Sequence, residues 1–265
     1  FHGEHILTFI GAKNISDYLD FIVAKQNAKS FSEAVLAHLT CDASHLWDKI
    51  IFSNVPASSP LLPIFQNKSS SDNFACSIQE LQSAPYLPLP KTWDAYLINL
   101  DKKQRHEIRR KIRRLEKEAD NFRFFFITDM QQLLRYQEVF FSLMRQDHAK
   151  AQFLTQRMME HMQKLLSWSF REEILKLFFL EINGVTAAGY FCFDDQNTIY
   201  IYNSGFHNEF QYFSPGWLLL SYLIQWSIEN SHEKVDFMRG NEKYKYQFGA
   251  LDSAIYEITL SKNRD

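Results

Sequence analysis

The densest collection of reactive side chains lies in VDFMRGNEKYKYQFGA (235–250), where Asp236, Arg239, Glu242, Lys243, Tyr244 and Lys245 follow a short apolar run. Loops at strand ends are where an α/β domain places its site residues, so this spacing predicts a charged cluster facing a cleft. A solvated surface helix is the competing explanation for charges of mixed sign. A second segment, SGFHNEFQYFSPGWLLL (204–220), sets Ser214 as a helix cap, Pro215 at the first helical position, then Gly216 and Trp217. Such a helix start offers free backbone N–H groups and the positive end of the helix dipole, which suits a phosphate or pyrophosphate. The same three residues also do nothing more than begin a well-formed helix. The third segment, KKQRHEIRRKIRRLEK (102–117), holds nine lysines and arginines, among them Arg105 and Arg109. Guanidinium forks match phosphate oxygens, so an anionic substrate or RNA stands beside the reading of a solvated helix.

Other residues carry less. His2 and His5 in HGEH lie at the start of the sequence, and His148, His161 and His207 have no ligand-type residue at metal spacing, so no metal is assigned. Cys41, Cys76 and Cys192 are far apart without a CxxC pair, which argues against a disulfide framework and fits a reducing compartment, the cytoplasm. The balance of 29 basic against 31 acidic residues gives a net charge of −2 and lends no support to a general DNA-binding role. The apolar stretch from Trp217 to Trp226 is too short for a transmembrane segment, which needs about 20 residues. Most of the 24 phenylalanines are expected in the core, with Tyr200 and Tyr202 as further candidates for a pocket wall.

The elements that must position these residues can be read from periodicity. Ile108, Ile112 and Leu115 give a helix from Lys102 to Glu118 one buried face, with Asp101 as its cap. FRFFFI (122–127) reads as a strand, followed by helices over 130–145 and 155–169. LKLFFLEI (175–182), the Asn183-Gly184 turn and VTAAGYFCF (185–193) form a hairpin, extended to a meander by TIYIYNS (198–204). A helix over 215–229, a strand at 235–238, a short helix and a last strand at 254–260 complete the domain. Upstream, the expectation is a strand at 6–11, helices near 18–23 and 31–38, a strand at 49–52, a flexible loop at 67–73, and a proline-spaced linker in APYLPLPKTW (84–93). These few strands cannot close a sheet, which predicts the end of a lobe whose beginning precedes Phe1.

A meander followed by a helix and a crossover strand is the element order of the GNAT fold. SDYLDFI (16–22), LPLPKTWDAYLINLDKKQRHEIRRKIRRLEKE (87–118), SPGWLLL (214–220) and DFMRGNEKYKYQFG (236–249) further resemble the CelD-like GNAT proteins of cellulose and exopolysaccharide biosynthesis, related to the FemAB peptidyltransferases. The resemblance implies an α/β (α+β) GNAT acyl-CoA N-acyltransferase fold, a mixed central sheet with flanking helices. It divides the chain into 1–90, the end of a first GNAT-like lobe plus linker, and 91–265, the acyltransferase domain. It implies acetyl-CoA or another acyl-CoA as donor, held at Ser214, Gly216 and Trp217, although the family's glycine-rich loop is reduced to Gly216. The acceptor would be an amine of a sugar or cell-envelope precursor, approached by Asp236, Arg239, Arg105 and Arg109. Tyr244-Lys245 matches the aromatic-lysine pair of FemAB-type enzymes. Lys245 would then stabilise developing negative charge, Glu242 act as base and Tyr244 as proton donor. Two alternatives share the resemblance: a transferase drawing on aminoacyl-tRNA, and a non-catalytic GNAT-fold module of polysaccharide biosynthesis.

Overall fold

The computed structural model describes residues 3–11, 13, 15–66 and 74–262; the loop expected at 67–73 lies outside them. Along the chain come β1 (Ile6–Thr8), α1 (Ala28–Thr40), β2 (Lys49–Pro56), α2 (Leu61–Gln66), β3 (Phe74–Ser83), β4 (Tyr86–Pro88), α3 (Trp93–Asn99), α4 (Lys102–Glu118) and β5 (Phe122–Phe126). There follow α5 (Met130–Arg145), α6 (His148–Phe153), α7 (Gln156–Arg171), β6 (Leu175–Ile182), β7 (Val185–Asp195), β8 (Thr198–Phe206), α8 (Pro215–Glu229), β9 (Lys234–Asp236), α9 (Lys243–Gln247) and β10 (Ala254–Lys262). The chain forms two compact units: residues up to Pro85 with Arg239–Asn241 and the segment from Asp252 on, and Tyr86–Met238 with Glu242–Leu251.

The first unit is a four-stranded sheet in the order β1-β2-β10-β3. β10 was expected in the acyltransferase domain; it lies instead between β2 and β3, antiparallel to both. β3, FACSIQELQS, was not anticipated, and with β10 it completes a sheet that the upstream residues alone lack. Ile50, Phe52, Val55, Ile258 and Leu260 fill the core with Leu36 of α1 and Phe65 of α2. No helix forms near 18–23. The backbone there is claimed by Asn54 of β2, whose Nδ2 donates to the carbonyls of Lys13 (2.9 Å) and Ser16 (2.6 Å) and whose own carbonyl accepts from Leu19 N–H. With those groups bonded across the unit, the helical i to i−4 ladder has no hold on the segment.

The second unit is built on a mixed six-stranded sheet, β4-β9-β8-β7-β6-β5, antiparallel except where β8 meets β9. Side chains along a strand alternate faces, and β6 shows the consequence. Phe178 and Leu180 join a core with Ile108 and Leu115 of α4 and Leu219 and Leu223 of α8. Leu177 and Phe179 join the opposite core with Phe140 of α5 and Leu166 of α7. Each fully buried side chain of this size contributes roughly 1.5–3 kcal/mol.

Local signals hold the elements in place. Asp101 Oδ1 accepts from Gln104 N–H (2.9 Å), and Asp129 and Thr155 cap α5 and α7 in the same way. Asn183 and Gly184 take φ of 52° and 77°, as a two-residue hairpin turn requires. The expected proline linker contains β4, which pairs with β9 at the sheet edge. Proline is admitted there because an edge strand has one row of N–H groups outside the ladder. β9 ends at Asp236, short of the expected 238, because Met238 turns to φ 54°.

β8 and β9 then part. Parallel pairing covers only Thr198–Tyr200 against Lys234–Asp236, while β8 continues to Phe206. Gly189 and Gly205 face each other across β7 and β8 near this opening. A Cβ on Gly205 would stand 2.6 Å from the backbone of Leu143 and Met144, so glycine is what lets the end of α5 lie on β8.

Candidate functional site

The opening beside β8 holds a cavity of about 300 Å³. Tyr190 on β7 and Ser204 and Phe206 on β8 form one wall; Ser214, Pro215, Gly216, Trp217 and Leu220 at the start of α8 form another, with Gln211 at the rim and Tyr244 of α9 closing it. Ser214, Gly216 and Trp217 at the start of α8 and Tyr244 of α9, distant from them in sequence, thus meet in one space.

The helix start is uncapped. Ser214 takes φ 57° and makes no side-chain cap bond, and Pro215 has no N–H to satisfy, so the first-turn donors at Gly216 and Trp217 are open to a ligand. The Ser214 Oγ accepts from Lys111 Nζ at 2.6 Å, and the same ammonium lies 5.3 Å from the Trp217 ring centroid. Lys111 is also held by Glu107 (3.3 Å), so a mostly buried cation stands at the positive end of a 15-residue helix. That combination favours negative charge. Tyr190 Oη donates to the Gly216 carbonyl at 3.3 Å and fixes the helix start against β7.

On β8, Ser204 presents both backbone groups away from β7: its N–H donates to Asn203 Oδ1 (2.8 Å) and its carbonyl accepts from Lys150 Nζ. Lys150 Nζ also reaches Ser204 Oγ at 3.1 Å. Burial pulls the Lys150 ammonium below its ordinary range, opposed by the charges of Asp147 and Glu242. The Tyr244 phenol is driven up by burial and then by the Glu242 charge, and that of Tyr190 by burial; both hold their protons at neutral pH.

Glu242 and Lys245 do not line the cavity. Lys245, its side chain 2% exposed, bonds Glu242 Oε2 at 2.9 Å and the Met238 carbonyl at 3.4 Å, whereas Glu242 is 57% exposed. Asp236 is buried, with Oδ1 accepting from Met238 N–H (2.9 Å) and Oδ2 beside Lys234 (3.2 Å), so it secures the turn after β9. Arg239 belongs to the first unit, where Nε meets Asp17 Oδ1 at 2.6 Å and Nη1 meets the Lys13 carbonyl at 2.7 Å. Arg105 directs Nη1 at the Ile98 carbonyl (3.4 Å), and Arg109 faces a separate hollow beside α3. Sequence reasoning missed Lys111, Lys150, Tyr190 and Ser204; of these Lys111 and Ser204 lay in segments already singled out, and nothing distinguished either from its neighbours.

Among the described residues no group of three or more His, Cys, Asp or Glu could hold a metal ion, and no helix is long and apolar enough to cross a membrane.

Comparison with known proteins bears on the fold and the family. The C-terminal domain (DUF2156) from Agrobacterium fabrum of a protein assigned as a lysylphosphatidylglycerol synthetase superposes with a TM-score of 0.62 at 10% identity, covering 91% of this chain and 76% of that one. A conserved protein of unknown function from Bacteroides thetaiotaomicron gives 0.60 at 14% identity, over 87% and 75%. L-PGS from Bacillus licheniformis gives 0.57 at 13% identity, over 89% and 74%. At such identities the likeness is one of fold. No curated protein matches the sequence. The model of the acetyltransferase (GNAT) domain matches residues 102–246, more than half of the chain, from α4 through β8, α8 and most of α9. The chain therefore belongs to the GNAT acetyltransferase family and is an acyltransferase, of a family whose acyl donor is acyl-CoA.

Proposed function

We propose that this chain transfers an acyl group from acyl-CoA to an amine of a sugar or cell-envelope polysaccharide precursor. The observation that carries the donor half is a cavity walled by an uncapped helix start and by β8 beyond its pairing with β9, with the mostly buried Lys111 bonded to Ser214 at that helix start. The donor's phosphates would lie at Gly216 and Trp217 and its acyl arm among Tyr190, Phe206 and Leu220. The acceptor half rests on the CelD-like resemblance of SPGWLLL and DFMRGNEKYKYQFG. Cys41, Cys76 and Cys192 are free thiols, which suits the cytoplasm as the compartment.

In this reading the acceptor nitrogen bonds to the thioester carbonyl carbon and the carbon–sulfur bond breaks. No enzyme nucleophile is needed once the two are held together. Tyr244, kept protonated by burial, gives its proton to the departing sulfur, and the proton shed by nitrogen returns through solvent or Glu242. Lys245 acts as a positioning residue, holding the Glu242 carboxylate rather than touching substrate.

Calorimetry with acetyl-CoA, followed by thiol release in the presence of glucosamine, tests the proposal. Wild type is expected to bind and turn over, and Tyr244→Phe to bind equally while kcat falls by about 10²-fold. Lys245→Met should lower kcat with the KM for donor unchanged. Failure of the wild-type chain to bind acetyl-CoA overturns the donor assignment; equal turnover by Tyr244→Phe overturns the proton donor.

A further inference from the structure

α4 carries more cations than its own contacts use. Arg110 grips Glu107 with two bonds (2.9 and 2.7 Å), Lys111 shares that carboxylate, and Arg114 bonds the Tyr212 carbonyl (2.8 Å) and lies over its ring. The strip formed by His106, Arg109 and Arg113, at i, i+3 and i+7, is different. Among the described residues neither the Arg109 guanidinium nor the His106 ring has a partner, and Arg113 Nε holds only the Arg109 carbonyl at 3.2 Å.

These three side chains line a hollow of about 600 Å³ between α3 and α4, with Trp93, Leu97 and Ile112 as apolar wall and Asp94 as the one carboxylate. Trp93 is fixed in place by stacking on the buried Tyr96, ring centroids 5.1 Å apart. Two guanidinium forks a turn apart, neither held by a carboxylate among the described residues, satisfy the oxygens of a phosphate better than a single planar carboxylate, and the indole offers an apolar face to whatever carries it.

We propose that the α3–α4 hollow is a binding site for an organic phosphate, the anion held by Arg109 and Arg113 and the attached body resting on Trp93 and Leu97. It is a different space from the cavity at the start of α8 and shares no lining residue with it. The site therefore stands whether or not the acyl-donor assignment does. The same phosphate chemistry occurs on a soluble nucleotide diphosphate and on a phospholipid headgroup.

The test titrates the whole chain with uridine diphosphate by calorimetry and, in parallel, floats it with vesicles of equal parts phosphatidylcholine and phosphatidylglycerol. Two double variants are compared, Arg109→Gln with Arg113→Gln, and Lys102→Gln with Lys117→Gln, which removes equal charge from exposed ends of the same helix. Binding of either probe is expected to weaken by about tenfold or more in the arginine pair and by less than about threefold in the lysine pair, where only screened long-range charge is lost. Nucleotide binding alone identifies a soluble ligand, and vesicle binding alone a lipid headgroup. The proposal is overturned if wild type binds neither probe, or if the lysine pair weakens binding as much as the arginine pair.

Discussion

Gly216 permits a substitution that separates folding from donor binding. A Cβ there would meet only Phe206 Cδ1, at 3.6 Å, an ordinary contact, so aspartate fits without displacing its neighbours. In the first turn of α8 a carboxylate is favoured by the helix dipole by about 0.3–1 kcal/mol, and replacing glycine within a helix is itself favourable, so Gly216→Asp should fold as well as wild type or better. Donor binding responds in the opposite sense. Two unit charges about 4 Å apart repel by roughly 1 kcal/mol in water and about 4 kcal/mol in a medium of intermediate polarity. A pyrophosphate with about two charges beside the new carboxylate therefore loses at least about 2 kcal/mol, which is roughly thirtyfold in affinity. Calorimetry with coenzyme A on wild type, Gly216→Asp and the neutral isostere Gly216→Asn gives the reading, with pantetheine as a phosphate-free ligand. The expected pattern is weak coenzyme A binding by the aspartate variant alone, with pantetheine indifferent to the charge. Equal loss in both variants would mean side-chain bulk rather than charge is responsible, and no loss in either would remove the phosphates from the start of α8.

Three further outcomes follow from the same geometry. Gly205→Ala pushes a methyl into the Leu143–Met144 backbone and should cost about 2–4 kcal/mol, read as a lower thermal midpoint and a lower denaturant midpoint with unchanged slope. The Glu107 carboxyl is pushed down to about 2 from 4.5, chiefly by its Arg110 hydrogen bond, so its stabilising share is full above pH 4.5 and fades as pH falls towards 2. With the side chain a third exposed, that share is roughly 1 kcal/mol, and Glu107→Gln should flatten the stability profile across this acid window alone. Asp17→Asn and Arg239→Gln, singly and together, should show a coupling of about 1–3 kcal/mol in unfolding measurements with acyl transfer unchanged, since their bond lies within the first unit.

What the sequence made legible was local. Asp101 before α4, Asn183-Gly184 in the hairpin and Pro215 at the start of α8 act over four residues or fewer and formed where their residue types require, whereas Ser214, expected to cap α8, takes φ 57° and makes no side-chain cap bond. The buried face of α4 was legible for the same reason, with Ile108 and Leu115 buried and Ile112 partly so. Contacts of long range were not. Arg239 reads as a site charge until Asp17, 222 positions away, is seen to hold it. Asp236 reads the same way, although its carboxylate secures a positive-φ turn at Met238. Proline spacing in APYLPLPKTW described a linker correctly as extended chain but could not announce that β9 would supply a pairing partner. Of the nine lysines and arginines on α4, three engage Glu107 or Tyr212 and two face the α3 hollow, a division set by the neighbours of the helix rather than by its own pattern.

The place of β10 bears on the order in which the protein can be made. During synthesis from the N-terminus, β2 and β3 leave the ribosome about 170 to 200 residues before the strand that joins them, so the first unit remains an open pair of edges while nearly all of the second unit is translated. Unpaired strand edges invite pairing with other chains. The second unit, whose strands are joined mainly by near neighbours in sequence, is free to fold first, and loop closure over so long a separation makes completion of the first sheet the slower event. A stop codon before Ala254 would accordingly do its damage at the opposite end of the chain, leaving β2 and β3 without the strand between them.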